Sequence, residues 1–404
     1  MCDRGKGRGF DKPESPECTA RVGTLPSPAQ GHVIHSPPAY PVDSTVTELG
    51  LYRHDSHLSQ GLCRHTLIVT LIPSRLARDG RVPLAHPGVC QPLWRMGDVH
   101  RLILHHGVEA ARATAATKAD RMAVDAAAEL LSEEESRLGI THAGFAMTSL
   151  PHKKITETVW RRESPRTTLL VEAGRDRLGN FIGVPYGGIA RLILLYLQTE
   201  AIRTNSPEVE LGRSMKSWMD RMALTTGGKT YQLVTEQARR ISSSRLTFFA
   251  DRGGAELRQN GAFVQGSISL AGVADEGQPS LWQDRVRLDE GFWRSLREHP
   301  VPVREEAIRA IGTRSLAIDI YIWLAYRLHS LDRPTPVTWL ALHAQFGAGM
   351  KALRHFKPMF LEAFRLAMAV YPEAQVDVDE DRSGIVMHPS PPAVPKQTAR
   401  RLLG

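Results

Sequence analysis

Residues 225–254 read "TTGGKTYQLVTEQARRISSSRLTFFADRGG", and the fold turns on what their Gly227-Gly228-Lys229-Thr230 begins. A loop that wraps nucleotide phosphates carries a further glycine five places before its Gly-Lys-Thr, where the backbone folds tightly round the anion, and it runs from a strand into a helix. The residue at that place is Ala223. Upstream, "LGRSMKSWMDRMAL" spaces Met215, Trp218 and Met222 as a helix face rather than a buried strand. Neither condition is met, and the stretch is read as something else.

From Lys229 onward the pattern is helical. Tyr231, Val234, Ala238 and Ile241 recur at core-facing spacing, while Lys229, Gln232, Glu236 and Arg239 repeat that spacing on the outward side. Ahead of this helix, Ser214 caps a short helix ending near Leu224, and Thr225 to Gly228 form a turn. Earlier still, "PYGGIARLILLYLQTEAIRT" is a helix with Ile189, Leu192, Ile193, Tyr196 and Leu197 on one stripe. Behind it, Leu246, Phe248 and Ala250 alternate with Arg245, Thr247 and Phe249, "RGGAELRQNG" turns, and Val264, Ile268 and Leu270 alternate with Gln265, Ser267 and Ser269. Three helices and a two-stranded ribbon describe a winged helix. On this reading Lys229 and Thr230 open its recognition helix, where free backbone amides and a cation both favour phosphate.

The pattern recurs. "SLWQDRVRLDEGFWRSLREHPVPVREEAIRAI" is a connector; "SLAIDIYIWLAYRLHSL" is an apolar helix and "VTWLALHAQFG" a second, starting near Thr338, with Gly347 and Gly349 bracketing a turn. In "MKALRHFKPMFLEAFRLAMAVY", Leu353, Phe356, Phe360, Ala363, Ala367 and Val370 face inward, and Lys351, Arg354, His355 and Arg365 point away. A hairpin follows around Asp381 to Gly384. Pro358 cannot donate to the Arg354 carbonyl, so either the helix kinks there or "GMKALRHF" is a separate turn. The fold class expected is α+β, mostly helical, with two tandem winged-helix domains behind a helical or disordered N-terminal extension.

Residues 1–95 are rich in Pro, Gly, His and Arg and bury little, and Met96 reads as the natural start of the protein. Residues 96–154 form an alanine-rich helical appendage in which Ser132 and Glu135 suggest a capping box. The first winged helix spans 155–275, connector and second winged helix 276–395, and a tail 396–404. The four cysteines, Cys2, Cys18, Cys63 and Cys90, lie in the first quarter, and Cys2 and Cys18 stand too far apart to form a zinc site with His32 and His35. His105-His106 reads as a solvated helix end. Neither a secretory signal nor a membrane span is found, which points to a cytoplasmic protein. The formal charge of +8 favours polyanionic partners.

The stretches "IGVPYGGIARLILLYLQTEAIRTNSPEVELGRSMKSWMDRM", "HPVPVREEAIRAI", "SLAIDIYIWLAYRL" and "VTWLALHAQFG" resemble RepA-type plasmid replication initiators, over about Val159 to Pro395. The resemblance implies a bacterial, plasmid-associated protein that binds repeated double-stranded DNA sequences at an origin, helps open the duplex, recruits the host replication initiator and helicase, and represses its own promoter as a homodimer. Pro358 and the basic N-terminal extension depart from that family.

In the residues themselves, Lys229, Thr230 and Gln232 are candidates for base-edge and phosphate contact, and Arg239, Arg240, Arg252 and Arg258 for the DNA backbone. Lys351, Arg354 and Lys357 take those parts in the second module. Arg239 with Arg240, and Lys351 with Arg354, also fit a plain solvated helix end. A DNA-binding repressor without replication activity is the rival function. Asp319, on an apolar helix, is a structural partner for an arginine such as Arg314 or Arg327, and no catalytic grouping, cofactor or metal is expected.

Overall fold

The computed structural model describes residues 98–133, 137–165, 167–252, 255–266, 270–271, 281–282, 285–379 and 383–403. The side chains of 98, 250–259, 270–271, 281–282 and 401–403 are outside that set, as are Met96, Glu135 and the four cysteines.

In chain order the elements are α1 (Asp98–Thr114), α2 (Lys118–Ser132), β1 (Leu138–His142), α3 (Ala143–Met147), β2 (Val159–Glu163), β3 (Thr167–Glu172), α4 (Gly187–Thr204), β4 (Glu208–Glu210), α5 (Met215–Arg221) and α6 (Gly228–Ser243). They continue with β5 (Arg245–Arg252), β6 (Ala255–Ala262), β7 (Val264–Gln265), β8 (Leu270–Ala271), β9 (Leu281–Trp282), β10 (Arg285–Leu288), α7 (Glu290–Glu298), β11 (Pro300–Arg304), α8 (Glu305–Ile311) and α9 (Ser315–Arg327). The last are β12 (Thr335–Thr338), α10 (Trp339–Phe346), α11 (Leu353–Ala369), β13 (Val376–Asp379), β14 (Gly384–Met387) and α12 (Lys396–Leu403). The fold is α+β and mostly helical, with antiparallel sheets.

The helices α4 and α9 are buried on nearly every face, as a helix without a polar side must be. They pack on each other, and each opens a unit of the same order: helix, strand, helix, helix, strand, strand. In the first unit these are α4, β4, α5, α6, β7 and β10, with β5 and β6 inserted before β7 and β8 and β9 between β7 and β10; in the second, α9, β12, α10, α11, β13 and β14, with no strand inserted. The three strands of each sheet run first, third, second: β4-β10-β7, with Arg285 opposite Glu210 and Arg287 opposite Gln265, and β12-β14-β13, with Thr335 and Val376 both opposite Met387.

The second ribbon lies where it was expected. In the first unit, however, the strand pairing with β5 is β6, from Arg245 opposite Ala262 to Arg252 opposite Ala255, so "AELRQNG" is a strand and not a turn. Its polar, glycine-containing sequence carries no apolar alternation because it is the edge strand of a four-stranded sheet, β2-β3-β5-β6. β7 instead joins β10, which carries the first unit past residue 275 into what reads as a connector. That stretch also holds α7, β11 and α8.

Residues 98–142 are integrated rather than appended. β1 pairs with β11 from Leu138 opposite Arg304 to His142 opposite Pro300, and His100 Nε2, buried, is 2.8 Å from the carbonyl oxygen of Ala369 at the end of α11. The single helical pattern divides into α1 and α2, and the capping box belongs to Thr117 and Asp120 at the start of α2. Ser132 ends that helix, its hydroxyl donating to Glu129.

A buried ion pair joins the two units. Arg191 of α4 grips Asp319 of α9 with both prongs, Nε to Oδ1 at 2.6 Å and Nη2 to Oδ2 at 2.7 Å. Its remaining donors go to the carbonyls of Leu150, Pro151 and Gly187. The partner of Asp319 is therefore Arg191, not Arg314 or Arg327; Arg314 Nη1 donates to the carbonyl of Ile311. Burial pushes the Asp319 carboxyl up, and the Arg191 guanidinium opposes that shift.

Candidate nucleic-acid interface

Helix α6 begins as its sequence demands. Ser214 caps α5 by accepting from the Ser217 amide at 3.2 Å, and the chain then turns through exposed Thr225 and Thr226 to Gly227. Gly227 takes the N-cap place with no side-chain acceptor, and the first helical bond runs from the Tyr231 amide to the Gly227 carbonyl at 2.9 Å. The amides of Gly228, Lys229 and Thr230 thus have no partner within the helix. Gly227 has φ −172°, extended backbone open to any residue, and a Cβ on either glycine would touch nothing within 4 Å. The leading turn is a bare amide surface beside the exposed Lys229.

Along α6, Val234, Ala238 and Ile241 are buried and Tyr231 is half-buried, whereas Lys229, Gln232, Leu233 and Arg239 are exposed. Thr230 is half-buried. Among the described residues Lys229 and Arg239 form no ion pair. Glu236, in the middle of this face, is 3.7 Å from Lys154 and 2.8 Å from Arg240.

Arg240 does not join this face. It is only 5% exposed, and its guanidinium donates to Glu236 and to the Val184 carbonyl at 2.9 Å and lies over the Tyr186 ring. Successive helix residues are about 100° apart, so Arg239 and Arg240 cannot share a surface; only Arg239 is presented to solvent. Arg252 and Arg258 sit on the ribbon strands β5 and β6, their side chains outside the described set.

In the second unit Lys351 is exposed but precedes α11, which starts at Leu353. Arg354 and His355 form the exposed leading turn, with Arg354 Nε 3.0 Å from His355 Nε2. Lys357 is half-buried, its Nζ 5.1 Å from the centre of the Trp339 ring, so its charge is held against the body. Pro358 lies within a continuous α11. It and Arg354 are both exposed, and the proline has no amide hydrogen to give the Arg354 carbonyl.

Sequence reading missed two arginines that fix this arrangement. Arg162 of β2 donates to the carbonyls of Gln345 at 3.1 Å and Ala344 at 2.7 Å, closing the last turn of α10 with a cation. Arg191, already described, sits beside His152, whose Nδ1 is 3.0 Å from Ser315 Oγ. Burial first, then Arg191 and Arg162, depress the His152 imidazole to about 3. His142 is also buried, held by the Gly144 amide on Nδ1 and Ser295 Oγ on the other nitrogen, and is depressed to about 3, mainly by burial. Both rings are neutral structural parts. Among the described residues no cluster of His, Cys, Asp or Glu is arranged for a metal, and no helix is long and apolar enough to cross a membrane.

Residues 184–339 match the family model described as plasmid encoded RepA protein. The resemblance to RepA-type initiators therefore holds from just before α4 to the first residue of α10. No curated protein sequence matches the chain. Among solved structures, the crystal structure of RctB domains 2-3 is similar with a TM-score of 0.39 and 10% identity, covering 60% of this chain and 93% of that one. The crystal structure of SeMet derivatives of domain 2 and domain 3 of RctB gives 0.40 and 8%, covering 63% and 97%.

Proposed function

We propose that this protein is a plasmid replication initiator that holds repeated duplex sequences at its origin through two winged helices. The observation that carries the reading is the repeated unit, helix, strand, helix, helix, strand, strand with sheet order first, third, second. Each copy presents a cation at its leading turn, Lys229 in one and Arg354 in the other, with Lys351 exposed just ahead of the second. The RepA match over residues 184–339 supports it.

In this reading α6 enters a major groove, where an exposed amide such as Gln232 reads base edges and the bare amides of Gly228 to Thr230, with Lys229, take a phosphate. The ribbon arginines Arg252 and Arg258 hold flanking backbone, and α11 makes a second contact through Lys351, Arg354 and His355. The protein works by binding and not by covalent chemistry. Opening of the duplex, recruitment of the host initiator and helicase, and autorepression as a dimer belong to the same proposal.

Fluorescence anisotropy on duplexes carrying direct repeats from beside the gene, against scrambled duplexes, tests it. Lys229→Ala is expected to weaken both alike, while Gln232→Ala narrows the gap between them. Unchanged binding in both variants would remove α6 from the interface.

A further inference from the structure

Beside the C-terminal end of α6 lies an open groove of about 580 Å³ lined by Arg175, Asp176, Arg177, Arg239, Ser242, Ser243 and Gly266, among others. One wall is the turn between β3 and α4. It is tightly built: Asp176 Oδ1 accepts from the amides of Leu178 and Asn180, each at 2.9 Å, Arg175 donates to the Gly179 carbonyl, and the Arg175 guanidinium lies 3.6 Å from the centre of the Phe181 ring. Its root is pressed onto α6, since a Cβ on Gly174 would fall 2.0 Å from the Ser243 carbonyl oxygen. The turn is therefore a fixed projection from the body, and Leu178 at its tip is 77% exposed.

The charges in the groove leave it positive. Arg175, Arg177 and Arg239 are exposed, and Arg177 and Arg239 form no ion pair among the described residues. Against three guanidiniums stand the Asp176 carboxylate, occupied by backbone amides, and about half a unit of negative dipole at the end of α6. The Ser242 and Ser243 hydroxyls already donate to the carbonyls of Arg239 and Arg240, so an anion here is held by the arginines.

We propose that this groove seats a phosphodiester strand of the same duplex whose major groove α6 enters, with Arg177 and Arg239 on its phosphates and Arg175 behind them. This rests on the DNA-binding reading above. Lys229 and Arg239 are ten residues apart on α6, about 15 Å along the axis, and a major groove is about 12 Å wide. A helix with its leading turn in the major groove therefore carries its tail to the strand at the groove edge. Neutralised phosphates at this edge add to affinity without adding sequence choice.

The full-length protein, titrated with labelled repeat and scrambled duplexes at several salt concentrations, separates the outcomes. Arg177→Ala is expected to weaken both duplexes by the same factor, about fivefold near 0.1 M salt, and to reduce the salt slope by about 1, with a larger loss in Arg177→Glu and no change in melting temperature. If Lys229→Ala weakens binding while both Arg177 variants bind with the wild-type slope, the groove takes no phosphate and the initiator reading stands. A loss confined to the repeat duplex would make the turn a base reader and overturn the proposal. If the wild-type protein binds no duplex, the DNA-binding reading fails and this inference with it.

Discussion

Replacing Asp319 by asparagine tests the account of how the two units are held. Arg191 and Asp319 are 6% and 7% exposed and meet through two short bonds. Asparagine keeps the shape and one acceptor but removes the charge, leaving the Arg191 guanidinium buried on the carbonyls of Leu150, Pro151 and Gly187. Breaking a buried pair by deleting one partner costs about 3–5 kcal/mol. The retained carbonyl bonds place Asp319→Asn near the lower end, about 3 kcal/mol. At about 2–4 °C per kcal/mol for a body of this size, the melting temperature should fall by roughly 6–12 °C. Urea unfolding followed by circular dichroism measures the loss directly. The double variant Arg191→Met with Asp319→Leu should recover part of it, since it removes the stranded charge but leaves the carbonyls of Leu150 and Pro151 without their arginine donor. A single-variant loss below about 1 kcal/mol, or a double variant no better than the single, would refute the reasoning.

Two further outcomes follow from buried groups. His142 and His152 are held near 3, below the ordinary histidine value of about 6.5, so the unfolded chain takes up protons that the folded chain refuses. Their contribution is intact above about pH 6.5 and is lost as pH falls toward 3, at about 1.4 kcal/mol per pH unit for each ring; the unfolding free energy from urea titrations at pH 7, 6 and 5 should drop by about 4 kcal/mol between pH 7 and 5 for the two rings together, and a flat profile would contradict the buried neutral rings. Arg240→Ala should cost about 2–4 kcal/mol through the stranded Val184 carbonyl and Glu236 while leaving the salt slope for DNA unchanged; an altered slope with unaltered stability would return Arg240 to the interface.

What the sequence made legible depended on periodicity. The core stripe of α6, the Ser214 cap and the mainly apolar α9 were readable because burial there follows a local rule. β6 was not, because a polar edge strand is held by backbone pairing to β5 and its side chains carry no signal. Nor was the Arg191 to Asp319 pair, whose members are 128 residues apart. For Arg240 the signal was present: it lies four residues after Glu236, the spacing of an intrahelical ion pair, and one step round the helix from Arg239. The Asp and Gly of "RDRLGN" mark a turn, but that its arginines border α6 shows only in the close approach of Gly174 to Ser243.

The central claim, that exposed cationic helix surfaces presented by a repeated unit dock on double-stranded DNA, meets its most direct test in the salt dependence of wild-type binding to origin repeats. With Lys229, Arg239, Lys351, Arg354 and the groove arginines engaged, about six phosphates are neutralised, and log affinity should fall against log salt with a slope of roughly −5. A slope near zero, or equal affinity for repeat and scrambled duplexes at every salt concentration, would contradict it.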